Sequence, residues 1–442
     1  MSKNVKVIGA GLAGCEAAWQ LAESGIRVKL FEMKPNKRSP AHISPAFAEL
    51  VCSNSFRSNE LTNAVGLLKE EMRRLGSLII KTADKAGIPA GGALAVDREQ
   101  FSDLITEQIK SHPLIEIIEQ EVICIPDGRV IIATGPLTSD SLAKSITELI
   151  SDKQMLKFFD SAAPIVTVDS IDMDQAFYAS RYDKGDADYI NCPMDRDQYL
   201  GFHAALINAD KAPVHGFEDK LVFEGCIPIE VMAKRGVDTI RYGPLKPVGL
   251  RDPKTGKEPY AVVQLRKDNV EGTLYNIVGF QTHLKFGEQK RVFGMIPALK
   301  NADIVRYGVM HRNTYLDSPS LLDRFYRLRK NTRISFAGQI TGVEGYVESA
   351  ASGLLCATET ARELLSQQPV EFPGETAIGA LALYISSGSV SDFQPMNINF
   401  GLIKPLDVKV KGKRNKNLKI SERSLQLIDR LLKGEEESEN NH

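Results

Sequence analysis

Residues 4–14 read Asn-Val-Lys-Val-Ile-Gly-Ala-Gly-Leu-Ala-Gly, a G-x-G-x-x-G spacing set directly behind a short apolar run. No other feature restricts the fold of this chain as strongly. Residues 4–9 have the pattern of a short buried strand, and residues 12–24 carry Ala13, Ala17, Ala18 and Leu21 along one side of a helix. A second strand is expected over 27–32, ending on Glu32, 18 residues after Gly14. In such a βαβ unit Gly9 permits the tight turn, Gly11 lets a pyrophosphate approach the backbone, and Gly14 lets helix and strand pack closely. The peptide groups of Ala10, Leu12 and Ala13 complete the loop, and the helix N-terminus offers free N–H groups and partial positive charge to phosphates. Glu32 is placed to bind ribose hydroxyls. The alternative is a glycine-rich turn with no ligand; both strands, the helix and the acid together favour a dinucleotide.

The chain is long enough, at 442 residues, for two or three domains, and its net charge of −1 leaves any contact with nucleic acid to a local patch. No run of 18 apolar residues occurs, and the N-terminus lacks the pattern of a signal peptide. A protein of the cytoplasm is therefore expected, with no membrane partner; oligomeric state is not legible. Six cysteines, none in a C-x-x-C pair, argue against a disulfide framework or a structural metal site.

Further along, residues 35–65 read as a long loop, 67–86 as a helix broken by Pro89–Gly92, and Asp97 as the cap of a helix over 98–111. Strands are expected over 115–118, 121–125 and 129–133. From about 150 to 330 short strand-like pieces (165–168, 221–223, 261–266, 274–280) alternate with Pro- and Gly-rich turns, which reads as an inserted α+β domain. A buried strand at 334–337 then leads into Gly338-Gln339, a small-residue helix around 349–362 and another over 377–385. Residues 404–419 hold seven Lys or Arg against Asp407 alone, and 421–433 fit an amphipathic helix.

Two segments favour FAD over a nicotinamide cofactor as the resident dinucleotide. Residues 131–136, with Thr134 and Gly135, resemble the strand-then-A-T-G element of two-domain flavoproteins. Phe336-Ala337-Gly338-Gln339, followed by Gly342 and Gly345, resembles their late flavin-contacting element. The fold class expected is thus α/β: a Rossmann-like FAD-binding domain in two parts, 1–145 and 326–433. An inserted substrate or folate domain spans 146–325, and a disordered acidic tail covers 434–442.

Among the cysteines, Cys15, Cys124, Cys192 and Cys356 read as structural, Cys192 least clearly. Cys52 lies in a polar loop near Arg57, and Cys226 lies between Gly225 and Pro228. Either could be reactive. An ordinary thiol has a pKa of roughly 8.5, so a nucleophilic one needs a cation, a helix N-terminus or a base beside it.

The segments Gly9–Gly14, 50–57, F-F-D-S-A-A-P-I-V (158–166), Y-I-N-C-P-M (189–194), F-E-G-C-I-P (223–228), G-F-Q-T-H-L (279–284), 336–349 and Q-P-M-N-I-N-F-G-L (394–402) occur in this order. In that order they resemble the TrmFO family of folate- and FAD-dependent tRNA (uracil-5-)-methyltransferases, relatives of the larger GidA-type flavoproteins. The resemblance implies that a one-carbon unit passes from 5,10-methylenetetrahydrofolate to C5 of the T-loop uridine of tRNA, giving 5-methyluridine, with NADH or NADPH as reductant. It implies Cys226 as the nucleophile at C6 of uracil, which turns C5 into an enolate-like carbon. Cys52 would assist near the flavin. His283 and Lys285 become candidates for folate or flavin contact, although His283 also reads as a scaffold histidine. Lys411, Lys413 and Arg414 become candidates for contact with the tRNA T-arm, although the basic run also reads as a solvated loop. Other readings are the same chemistry on a ribosomal RNA uridine, a small-molecule NAD(P)H-flavin oxidoreductase, and a non-catalytic RNA-binding factor that keeps FAD as a structural ligand.

Overall fold

The computed structural model describes residues 4–39, 41–150, 155–161, 163–183, 186–212, 227–308, 310–388 and 393–439. A five-stranded sheet runs in the spatial order Ile334–Phe336, Arg129–Ile132, Asn4–Ile8, Arg27–Glu32, Ile115–Glu119, and every neighbouring pair is parallel. Its central strands are apolar because both faces are covered; Val5, Val7, Val130 and Ile131 are all buried. Chain order reverses between Asn4–Ile8 and Arg129–Ile132, and in such sheets the crevice at that switch point takes the ligand.

Helix Leu12–Glu23 follows the first strand, and helix Tyr346–Leu364 follows the last. The two cross closely because both carry small residues. A Cβ on Gly353 would stand 2.3 Å from the carbonyl oxygen of Ala13, so glycine sets their separation. This contact brings the late Gly338–Gly345 segment beside the first glycine loop.

A second sheet is antiparallel throughout, in the order Phe177–Ala179, Tyr189–Met194, Ala261–Lys267, Leu274–Ile277, Ile165–Thr167, Ile304–Arg306. With helices Arg196–Ile207 and Phe286–Phe293 it encloses its own apolar core, which includes Val166, Cys192, Phe202, Leu265 and Phe280. Strands Met155–Ser161 and Met310–Leu316 pair antiparallel where the chain enters and leaves this region.

Several expectations are corrected. Residues 67–86 form two helices, Ala64–Arg74 and Leu78–Lys85, because Gly76 takes a positive φ of 73° and Ser77 caps the second helix by accepting the Ile80 N–H. The long loop 35–65 contains strand Ser55–Ser58, which pairs with Ala93–Val96. No strand forms over 121–125, since Ile115–Glu119 is the edge of its sheet, and Cys124 is exposed rather than buried. The helix expected at 349–362 is longer, Tyr346–Leu364. The last helix runs Lys413–Glu439, taking in residues 434–439 of the expected disordered tail; Lys, Arg and Glu are good helix formers. The strand expected at 221–223 lies outside the described residues.

Candidate active site

A cleft opens at the switch point. It is lined by residues 8–13, Phe31, Glu32, Lys34, His42, residues 133–139, Gly338, Gln339, Tyr346 and Ser349, among others. Gly9, Ala10, Gly11, Leu12, Ala13, Glu32, Thr134, Gly135, Gly338 and Gln339 are thus brought together on one wall. Gly14 and Gly345 stand behind it. A Cβ on Gly14 would fall 1.8 Å from the Gly9 carbonyl oxygen, so Gly14 serves the packing of loop against helix. Gly345 has φ +109° and caps the helix whose first turn places Tyr346 and Ser349 in the cleft.

The glycine loop is held ready. Gly9 has φ +97°, and a Cβ there would stand 2.8 Å from the Ala133 carbonyl oxygen. Gly11 faces open space, with nothing within 4 Å of its Cβ position. No side chain caps helix Leu12–Glu23, so its first N–H groups remain available to an anion. Glu32 is buried and already fixed: one carboxylate oxygen accepts the Ala10 N–H at 2.8 Å and the other accepts the Lys34 N–H at 3.0 Å. Each oxygen keeps a second lone pair for a hydroxyl. Gly338, at φ +83°, donates its N–H to Ser352 Oγ at 2.7 Å, which pins the late element against the cleft.

Lys34, His42, Glu49, Val51, Tyr346 and Ser349 also line the cleft, and the sequence reading missed them. His42 Nδ1 lies 2.6 Å from Ser39 Oγ. Burial, reinforced by the nearby Lys34 charge, lowers the His42 pKa and favours a neutral ring. For Tyr346 the available signal was its place directly after the cap glycine Gly345, at the start of a helix.

Tyr346 connects the cleft to Cys52. Its hydroxyl oxygen accepts the N–H groups of Cys52 at 2.9 Å and Ser53 at 3.1 Å, and lies 3.0 Å from Cys52 Sγ. Cys52 itself is half-buried. The loop beyond it is tied to the antiparallel sheet. Arg266 donates to Asn54 Oδ1 at 3.0 Å and to Ser53 Oγ at 2.8 Å, and Asn54 donates to the carbonyl oxygens of Val96 and Lys267. Lys69, buried, donates to the carbonyl oxygens of Phe56, Arg57 and Ser58. Arg57, in a left-handed conformation at φ 62°, pairs with the buried Glu348 one turn beyond Gly345.

Cys226 lies outside the described residues. The chain on either side of its segment is held by one strip: the Ala212 N–H donates to the His283 carbonyl oxygen, and the Ile229 N–H to that of Gln281. His283 is buried, with Nδ1 2.6 Å from Glu230 Oε1, and lines neither this cleft nor the cavity beside Arg98 and Arg306. Lys285 is exposed and sits 3.2 Å from Asp210. Lys411, Lys413 and Arg414 are exposed at the start of the last helix, which is anchored by Asn417 donating to the Thr62 carbonyl oxygen. Among the described residues no helix is long and apolar enough to cross a membrane.

Comparison with known proteins agrees with this architecture. The family model described as Glucose inhibited division protein A matches residues 4–368. A protein of Listeria monocytogenes serotype 4b, named methylenetetrahydrofolate–tRNA-(uracil-5-)-methyltransferase TrmFO, is 59% identical over 431 residues, covering 98% of this chain and 99% of its own. The chain belongs to the TrmFO proteins of the GidA family. A TrmFO of Acetivibrio thermocellus is 60% identical over 425 residues, 96% of this chain and 97% of its own. Among solved structures, Aquifex aeolicus GidA in its form I crystal superposes with a TM-score of 0.69 at 16% identity, over 97% of this chain and 76% of that one. The shared GidA-type fold therefore extends over nearly the whole TrmFO chain.

Proposed function

We propose that this chain binds FAD in the cleft and methylates C5 of the T-loop uridine of tRNA. The one-carbon unit comes from 5,10-methylenetetrahydrofolate, and NADH or NADPH serves as reductant. The observation that carries the reading is identity near 60% over almost the entire chain with proteins named for this reaction. The cleft fits the cofactor on its own terms. The uncapped helix N-terminus and open Gly11 suit a pyrophosphate, and Glu32 suits a ribose. Gly338, Gln339, Tyr346 and Ser349 would border the ring system. Bound there, FAD supplies the redox step that a methyl group requires from a methylene donor.

The protein's own residues supply position and thiol chemistry. Cys226 adds to C6 of the target uracil, which must leave the T-loop stack to be reached. Cys52 assists on the cleft side, held by Tyr346. The parts 1–145 and 326–433 form the FAD-binding domain and 146–325 the substrate domain. Lys411, Lys413 and Arg414 contact the RNA. A tRNA substrate places the enzyme in the cytoplasm.

The test is methylation of unmodified tRNA with methylenetetrahydrofolate, NAD(P)H and the purified yellow protein, with S-adenosylmethionine as the control donor. Nuclease digestion should show 5-methyluridine in the T-loop only with the folate donor. Product with S-adenosylmethionine alone, or none with folate, overturns the reading.

A further inference from the structure

The chain is near neutral overall, yet residues 234–251 carry Lys234, Arg235, Arg241, Lys246 and Arg251 against Asp238 alone. This stretch begins where the described chain resumes after Cys226: Ile227 and Pro228 lead into helix Ile229–Lys234, then helix Thr239–Tyr242. The single acid is paired on the patch itself, with Asp238 Oδ1 3.5 Å from Arg241. Lys234, Arg235, Lys246 and Arg251 are exposed.

An aromatic ladder stands among these cations. The Arg241 guanidinium lies 4.1 Å from the Tyr260 ring centroid and 5.1 Å from that of Tyr242, and its Nε donates to the Tyr260 carbonyl oxygen at 2.9 Å. Tyr260 packs in turn on the buried Tyr199. The arginine is therefore fixed, while Tyr242 is 68% exposed. A tyrosine so exposed has no folding role for most of its ring. A fixed guanidinium beside an exposed ring, on a stretch that also carries exposed lysines, matches what a nucleic-acid strand offers: phosphates at regular spacing and a flat base or ribose between them.

We infer that the surface formed by Lys234, Arg241, Tyr242 and Lys246, which follows Cys226 closely along the chain, docks the arm of a folded RNA. The inference rests on the methyl-transfer reading and adds to it the face on which the substrate sits. Phosphate contacts there orient the arm, while selection of the uridine is left to the cleft. Tyr242 stacks on an unpaired base or covers a ribose next to the extruded nucleotide.

The experiment uses the full-length FAD-loaded protein and unmodified tRNA. Binding is measured between about 50 and 200 mM salt, and turnover is measured alongside. Lys234→Glu with Lys246→Glu should weaken binding on the order of tenfold or more and make the slope of log K against log salt shallower by about two. Tyr242→Ala should weaken binding by about fivefold or more with little change in slope. Both variants should raise KM for tRNA and leave kcat at saturating tRNA and the flavin spectrum as in wild type. Unchanged affinity and slope in both variants, with wild-type turnover intact, overturns the docking surface and leaves the methyl-transfer reading standing. Lack of tRNA methylation by the wild type is instead the failure of that reading. A loss of flavin in the double variant would mark misfolding; the Tyr242→Ala binding result then decides alone.

Discussion

The Tyr346 hydroxyl and the Cys52 sulfur lie 3.0 Å apart. A phenol oxygen has two acceptor positions and one proton. The N–H groups of Cys52 and Ser53 occupy both acceptor positions, so the proton is left to the sulfur. Burial first, and then the Cys52 charge, hold the Tyr346 pKa well above the usual tyrosine range, so the proton stays on the phenol. The cleft thus presents Cys52 with a donor that favours its thiolate form.

Tyr346→Phe keeps the ring against Phe56 and removes only the hydroxyl. The two backbone N–H groups lose their acceptor, and stability should fall by about 1–3 kcal/mol. The rate of Cys52 alkylation should reach half its maximum at higher pH than in wild type. An unchanged midpoint would show that the sulfur does not accept from the phenol.

Arg266 carries the link between the Cys52 loop and the antiparallel sheet. Its planar guanidinium reaches Asn54 Oδ1 and Ser53 Oγ together, a geometry an ammonium reproduces poorly. Arg266→Lys should therefore lower kcat on the order of tenfold while flavin content and KM for tRNA stay near wild type. Equal loss of flavin and turnover would reduce Arg266 to a general structural role.

Gly353 sets the contact of the first and late helices, where a Cβ would meet the Ala13 carbonyl oxygen at 2.3 Å. Backbone cannot yield as a flexible side chain would, so Gly353→Ala should cost about 1–3 kcal/mol in thermal or denaturant unfolding. It should also weaken FAD retention, because the displaced helix carries Tyr346 and Ser349. Gly11→Ala meets no atom within 4 Å in the protein, so it should leave the unfolding of the apo-protein near wild type and weaken FAD binding alone.

These residues mark what could be read from the sequence. Gly9, Gly11, Gly14 and Glu32 were legible because strand, turn, helix and acid lie within one local unit. The break at Gly76-Ser77 was not, because Leu75 and Leu78 continue the apolar spacing across it. Residues 121–125 look like a strand, but strand character needs a neighbour to pair with, and the sheet ends before them. Tyr346 was invisible as a partner of Cys52 since 294 positions separate the two. Arg266 and Glu348 act on the same loop from similarly remote positions, while Lys69 reaches it from the following helix. Sequence motifs located the cleft, and only tertiary structure showed what holds the thiol beside it.

Lys69 gives the Cys52 loop a dependence on pH. Burial, then the charges of Arg73 and Arg57, lower its pKa from 10.5 to about 7. Its ammonium donates to three successive carbonyl oxygens, and a neutral amine has one proton fewer to give. The folded pKa is the lower one, so between about 7 and 10.5 the unfolded chain binds the extra proton. Stability from this group therefore rises with pH across that window and is flat below it. Lys69→Met removes the titration. The unfolding free energy of wild type minus that of Lys69→Met should grow as pH rises through the window, by a few kcal/mol at most. In the same range the loop loses one of its three ties, so Cys52 alkylation in wild type should approach the rate seen in Lys69→Met. A stability difference that is flat from neutral to alkaline pH would show that Lys69 keeps its proton throughout and that the loop is clamped at every pH.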